Sequence, residues 1–358
     1  RPDRRGPPGV AWPAMNGGHV LAVRLDALGD VLVCGPALRA LAAGASTVTA
    51  LVGRAGAAAA RLSPGVDDVL VWDAPWVGFD PTPVSRADTE RVIDAVARRA
   101  VDEAVVFTSF HQSPLPAALL LRLAGVRRIS AICADYPGTL LDVRHRVDEG
   151  VDRPETERAL DLARAAGFSL PQGDDGRLAV RRPLPNVRAL TGATSYVVLH
   201  PAASVQARSW SPARCAQAAR ALGLAGHRVL VTGGRADAEL TAYVATRGEA
   251  TDLGGRTDVA ELAAVLAGAR VAIAPNTGPA HLAAAVGTPV VSLFAPVVPA
   301  ARWAPYGVPT ILLGDQAAAC AGTRSRQCPL PGHPCLESVT AEDVVVAVDE
   351  LLVKGTSR

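Results

Sequence analysis

Four stretches of this chain carry residue types that could do chemistry together. RLDALGDVLVCGPAL, residues 24–38, follows an apolar run and sets Asp30 where a helix begins. A helix N-terminus favours negative charge, and a carboxylate there can take the proton of a bound hydroxyl. The same Asp can equally serve as a helix cap. A Rossmann dinucleotide turn would need Gly-x-Gly-x-x-Gly here, and only Gly29 is present. LHPAASVQARSWSPARCAQAARAL, residues 199–222, places Arg208 just ahead of a helix that Ser211 caps and Pro212 opens. That guanidinium can grip phosphate oxygens bidentately or lie solvated at the surface.

VLVTGGRADAEL (229–240) and ATDLGGRTDVAEL (250–262) bring Thr232 and two glycine pairs, Gly233-Gly234 and Gly254-Gly255. Paired glycines admit a flat ring or a ribose to the backbone, and a plain tight turn requires them equally. In VAIAPNTGPAHLAAAVGTPVVSLFAP (271–296) a buried strand breaks at Asn276-Thr277-Gly278 and a helix carrying His281 follows. The free N–H groups and Thr hydroxyl at such a start form a seat for an anion, against the plainer reading of a capped helix with a packed histidine. TSFHQSP (108–114) sets His111, Gln112 and Ser113 after another strand, suited to hydrogen-bonding an acceptor or to capping the next helix. Cys320, Cys328, His333 and Cys335 lack the Cys-x-x-Cys pairs of ordinary structural zinc sites, so no metal site is expected.

These residues need elements to hold them. Strand patterns at 19–25, 46–52, 67–72, 102–108 and 127–133 alternate with helical ones at 31–41, 54–62, 86–100 and 114–124. The alternation restarts with strands at 195–201, 227–234, 270–275 and 289–296 and helices near 212–224, 236–246 and 258–268. This is the pattern of parallel sheets covered by helices. The expected organisation is a flexible tail at 1–18 with Met15 as the native start, a Rossmann-like domain at 19–170, a Pro/Gly-rich linker at 171–192, a second such domain at 193–339, and a C-terminal helix and tail at 340–358. Ligands of open α/β sheets bind beyond the carboxyl ends of the strands, so the cleft between two facing domains is where the four stretches would meet.

The bulk composition excludes several classes. Of 358 residues, 49% are hydrophobic and 20% charged, which is the make-up of a folded globular chain. A net charge of +2 without single-sign blocks marks no nucleic-acid surface. Six unevenly spaced cysteines do not make a disulfide scaffold, and a reducing, cytoplasmic compartment is expected. The chain shows neither a run long enough to span a membrane nor the apolar stretch of a secretory signal.

Taken in order, the blocks R-x-D-A-L-G-D-V-L-x-x-x-P-A-L, L-H-P-A-A-S…R-S-W, T-G-G, L-G-G-R-T-D-V-A-E-L and N-T-G-P-A-H-L-A-A-A-x-G-x-P resemble glycosyltransferase family 9, the ADP-heptose:lipopolysaccharide heptosyltransferases. The resemblance covers roughly 19–353. It implies a GT-B fold, two Rossmann-like domains facing a central cleft, and metal-independent transfer with inversion and no cofactor. It implies Asp30 as general base and Arg208, Thr277 and Gly278 at the donor diphosphate, where His281, on the first turn of the same helix, can reach the anion or a sugar oxygen. Ser204, Thr232, Gly233, Gly234, Gly254, Gly255 and Asn276 would then meet the donor nucleotide or sugar, and His111, Gln112 and Ser113 the acceptor.

Two positions depart from the family pattern. Asn276 stands where Asp is usual, and Ala295-Pro296-Val297 where Gly-Pro-Ser/Thr is usual, which bears on the donor sugar. The expected partners are a nucleotide-sugar, ADP-heptose above others, and a glycan, glycolipid or secondary-metabolite acceptor. No nucleic acid is expected, a peripheral membrane contact stays open, and the expected state is a monomer. The competing readings are a catalytically degenerate nucleotide-sugar-binding protein and a GT-B-like sugar-nucleotide epimerase.

Overall fold

A computed structural model of the chain describes residues 17–78 and 81–355. The expected tail, save its last two residues, and the start at Met15 lie outside the described residues. The chain divides into two compact units. One holds the residues up to Ala27, Cys34–Val151 and Thr156–Asp175; the other holds Leu28–Val33, Asp152–Glu155 and the residues from Gly176 onward.

In the first unit six strands lie parallel in the order β3-β2-β1-β4-β5-β6: β1 His19–Arg24, β2 Thr47–Val52, β3 Asp68–Val71, β4 Glu103–Val106, β5 Arg128–Ile132 and β6 Val143–His145. The central strands β1, β2, β4 and β5 are buried almost throughout, as strands covered on both faces must be. The second unit repeats the order with β7 Val197–Leu199, β8 Val229–Val231, β9 Thr251–Asp252, β10 Ala272–Pro275, β11 Val290–Leu293 and β12 Thr310–Leu313, arranged β12-β11-β10-β7-β8-β9 and again all parallel. Each unit therefore has its first and fourth strands side by side at the centre, where the winding direction reverses and ligands of such sheets bind.

The helix expected over 31–41 is two helices. Leu28–Val33 ends before Cys34, and Gly35–Gly44 begins there with Pro36 in its first turn. A proline in the first helical turn forfeits no helix bond, whereas inside a continuous helix it would remove one. The split lets the first helix belong to the second unit while the second helix stays in the first.

Within the second unit, Leu28–Val33 packs on Gly278–Val286. The approach is so close that a Cβ on Gly29 would sit 2.9 Å from His281 Cδ2 and 3.3 Å from Gly278 Cα, and a Cβ on Gly278 would sit 2.8 Å from Leu28 Cδ2. Glycine on both sides is a steric requirement of this crossing. Gly29→Ala is therefore expected to destabilise the second unit by about 1–3 kcal/mol, the range for overpacking. Gly223→Ala, inside the helix Pro212–Leu224 and facing open space, should instead gain a few tenths to about 1 kcal/mol. Urea unfolding of both variants measures the contrast, and equal midpoints would remove the steric argument.

Candidate functional site

The start of the helix Gly278–Val286 is chemically unusual. Thr277 is its N-cap, with extended backbone (φ −139°, ψ 178°), yet its hydroxyl makes no capping bond. That buried Oγ1 has no hydrogen-bond partner among the described residues, and neither do Arg208 Nε and His281 Nδ1. Buried polar atoms are nearly always paired, and leaving one unpaired costs about 1–3 kcal/mol. Three such atoms beside one helix start remove the plain reading of a capped helix and leave a cradle of polar groups.

The three groups are neighbours. Arg208 ends the short 3-10 turn Gln206–Arg208 and donates from Nη1 to the main-chain oxygen of Asn276 at 3.4 Å. Burial pulls the Arg208 guanidinium below the usual arginine range, while the Asp30 carboxylate opposes that pull. Asp30 lies in the first turn of Leu28–Val33, half-buried, so the helix crossing described above brings an acid and a guanidinium into one electrostatic environment. His281 is buried with its ring edge toward Trp303, the centroids 6.5 Å apart. Burial first, and the charge of Arg208 second, push its pKa down to about 4, so its imidazole is neutral at physiological pH.

Other residues singled out by sequence have different surroundings. Thr232 is fully buried, and its Oγ1 pairs with His200 Nδ1 at 3.0 Å, so its side chain faces the core and not a ligand. The glycine pairs are accounted for by packing. A Cβ on Gly233 would lie 2.6 Å from Thr241 Cγ2, and one on Gly254 would lie 1.8 Å from Thr241 Oγ1. The Gly234 N–H donates to Asp237 Oδ2 at 2.9 Å, and Gly255 (φ +66°) donates to the Gly233 carbonyl at 2.9 Å. Close packing on Thr241 accounts for Gly233 and Gly254, and turn geometry beside Asp237 and Arg235 for Gly234 and Gly255. Ser204 is exposed in the loop after β7.

Asn276 is also placed differently. It is 5% exposed, donates from Nδ2 to the Ala295 carbonyl at 3.3 Å and accepts from the Ala295 N–H at 3.4 Å. Its amide joins two loops of the protein instead of standing open for sugar hydroxyls.

In the first unit, Gln112 accepts from the Ser109 N–H at 2.9 Å and donates to Asp26 Oδ1 at 2.6 Å. Arg24, 4% exposed, completes the network with Asp26 at 3.1 Å and Ser109 Oγ at 2.8 Å. Ser113 Oγ accepts from the Leu115 N–H at 3.3 Å at the start of the helix Leu115–Leu123. Of the three expected acceptor contacts, His111 and Ser113 are exposed and Gln112 is half-buried, and the His111 ring makes an edge contact with Phe110. Sequence reasoning did not assign the Arg24–Asp26 pair a role. The signal was present in an arginine ending a wholly apolar strand with an aspartate two residues on.

Among the described residues no group of three or more His, Cys, Asp or Glu side chains is arranged to hold a metal ion. His333 Nε2 lies 3.1 Å from the Ala207 carbonyl, and all six cysteines are free thiols. No described helix is long and apolar enough to cross a membrane.

Two six-stranded parallel units of this order are those of the GT-B fold, and solved structures with that fold align along nearly the whole length of the chain. A family 9 glycosyltransferase from Veillonella parvula matches with a TM-score of 0.76 at 18% identity over 96% of this chain and 99% of that one. Escherichia coli heptosyltransferase WaaC, solved with ADP-2-deoxy-2-fluoro heptose, matches with a TM-score of 0.69 at 23% identity over 93% and 99%. Residues 105–333 match glycosyltransferase family 9 (heptosyltransferase), and the chain belongs to that family.

Among characterised relatives, lipopolysaccharide heptosyltransferase 1 of Pseudomonas aeruginosa is 29% identical over 87% of each chain. Lipopolysaccharide heptosyltransferase 3 of E. coli is 30% identical over 46% of this chain, a match spanning about half of that relative's length (48%).

The buried imidazoles make stability depend on pH. His200, like His281, is held to about 4, by burial with Asp237 opposing, whereas an unfolded histidine titrates near 6.5. The unfolded chain therefore binds more protons between these values, and stability is complete above about pH 6.5 and lost as pH falls toward about 4. Each ring should contribute up to about 3 kcal/mol to that loss. Urea melts across this range should show a steep acid slope that His281→Gln and His200→Gln each flatten. A slope unchanged in both variants would contradict the buried neutral state.

Proposed function

We propose that this protein is an inverting sugar transferase that moves heptose from ADP-heptose to a hydroxyl of a glycan, glycolipid or secondary-metabolite acceptor. The observation that carries the reading is the cradle of unpartnered buried polar atoms on Arg208, Thr277 and His281 at an uncapped helix start, with Asp30 close enough to act on Arg208 electrostatically. A diphosphate supplies the acceptor oxygens this cradle lacks, and the helix N-terminus and guanidinium both favour its charge.

In the proposed reaction Asp30 takes the proton of the acceptor hydroxyl as that oxygen attacks the anomeric carbon. The bond from the anomeric carbon to the diphosphate oxygen breaks on the opposite face, which inverts the configuration. The departing ADP carries the electron pair and the growing negative charge. Arg208 and the helix start, with Thr277 Oγ1 and Gly278, stabilise that charge where it develops, so the reading needs no divalent metal. Neutral His281 adds a hydrogen bond and no charge, which leaves Arg208 as the cation at the leaving group.

The six free thiols favour a reducing, cytoplasmic setting. The paired amide of Asn276 and the packed glycines give the nucleotide and sugar fewer side-chain contacts than sequence alone suggested, so ligand identity would rest on backbone groups and on loops such as that carrying Ser204.

Asp30→Asn should lower turnover of ADP-heptose by roughly 10²–10⁴-fold, the usual share of a general base, while ADP affinity stays within a few-fold of wild type. Arg208→Ala should weaken ADP binding and lower turnover together. Calorimetric titration with ADP, paired with assay of ADP release over an acceptor panel, measures both. Undiminished turnover in Asp30→Asn would remove that residue from the mechanism, and transfer by the wild type excludes a binding-only protein.

A further inference from the structure

We propose that Asn276 is a positioning residue for Arg208, acting through the protein and not by touching the donor sugar; the inference rests on the reading of this region as a diphosphate seat. Strands β10 and β11 run parallel with Pro275 beside Leu293, so the residues just past their ends are neighbours. There the buried Asn276 amide bridges to Ala295 with a donor on one side and an acceptor on the other, at 3.3 and 3.4 Å. The main-chain oxygen of the same residue receives Arg208 Nη1 at 3.4 Å. All three bonds are at the long end of the range, so the arrangement depends on their acting together.

The chemistry of the bridge selects an amide. A carboxylate only accepts hydrogen bonds; in this place it would still take the Ala295 N–H but would turn a negative oxygen toward the Ala295 carbonyl. Protonation restores a donor, and burial in such a site raises a carboxyl pKa. The turn following the bridge carries Thr277 and Gly278, and the cation it holds is Arg208. Loosening the bridge therefore displaces the carbonyl that orients the guanidinium. Asn276 and Ala295, which belong to the two stretches where the resemblance led to an expected departure, are thus the two sides of one contact.

The ionisable groups around this turn are Arg208 on the 206–208 turn, Asp30 on Leu28–Val33 acting through Arg208, His281 on the helix that follows, and His200 at the end of the adjacent strand β7. The facing loop 294–298 carries none. Both histidines are neutral above about pH 5, so their charge stays constant between about pH 5.5 and about pH 8. An introduced carboxyl, its pKa raised by burial and lowered by Arg208, is the added protein group. Because the terminal phosphate of ADP titrates in this range, each variant is compared with wild type at the same pH.

The test is calorimetric titration of ADP and of ADP-heptose into wild type, Asn276→Asp and Asn276→Ala at both ends of that range. With a positioning role, Asn276→Asp binds ADP itself at least about tenfold more weakly than wild type at the upper pH and approaches wild type at the lower, where the carboxyl holds its proton. Asn276→Ala is weakened at both. ADP affinity equal in all three proteins, with only ADP-heptose affected, would show direct sugar contact and overturn the inference, as would an Asn276→Asp to wild-type ratio that does not change with pH. Should Asn276→Asp not fold, wild-type ADP affinity in Asn276→Ala overturns the inference and weaker affinity supports it. A wild type that binds no ADP overturns the diphosphate seat itself, a result distinct from binding that the variants leave unchanged.

Discussion

The candidate site depends on one steric fact: the helix Leu28–Val33 crosses the start of Gly278–Val286 at a distance that only glycine permits on both sides. A methyl group on Gly29 would enter the space of the His281 ring and the Gly278 backbone. Because that methyl is absent, Asp30 on one helix stands near enough to act on Arg208, whose guanidinium in turn acts on His281 of the other. The acid, the cation and the helix start are assembled by backbone proximity, and no direct bond between their side chains is needed to hold them.

Around this crossing the protein tolerates polar atoms that it does not pair. Several nearby polar side chains are engaged, Thr232 with His200, Gln112 with Asp26 and Ser109, Asn276 with Ala295, while single buried atoms such as Thr108 Oγ1 and Ser292 Oγ lack a partner elsewhere among the described residues. What sets Arg208, Thr277 and His281 apart is that three unpartnered atoms gather at one helix start. Such a local sacrifice of stability is what a binding site demands, since groups already bonded to the protein have less to offer a ligand. Burial keeps the imidazole neutral and leaves Arg208 as the cation of the cradle.

The legible part of the fold was its rhythm. Apolar runs bounded by Gly and Pro mark nine of the strands, while β6 (VRH) and β9 (TD) are too short and polar to show such a run, and β12 (TILL) is a half-buried edge strand whose run was not read as a strand. The split at Cys34–Gly35 was missed because Val31–Leu41 reads as one apolar helix, and the break comes from Pro36 and from two helices packing against different units. At the site, the residues placed together were found by their positions after strands, which parallel α/β sheets dictate. Which of them stand open was not legible: Thr232 pairs with His200, Gly233 and Gly254 pack on Thr241, and Gly234 and Gly255 lie against Asp237 and Arg235.

The sequence by itself determined the class: alternating strands and helices, and five ordered blocks that identify family 9. It did so because these patterns depend on local periodicity and on residues fixed in order along the chain. Only the tertiary structure decided that Thr277 leaves its helix uncapped, that Asn276 faces Ala295, and that Asp30 acts on Arg208 across 178 positions of chain. Hydrogen-bond satisfaction depends on partners brought from distant segments, and a hydroxyl that caps a helix and one left open for a ligand are the same letter in the sequence.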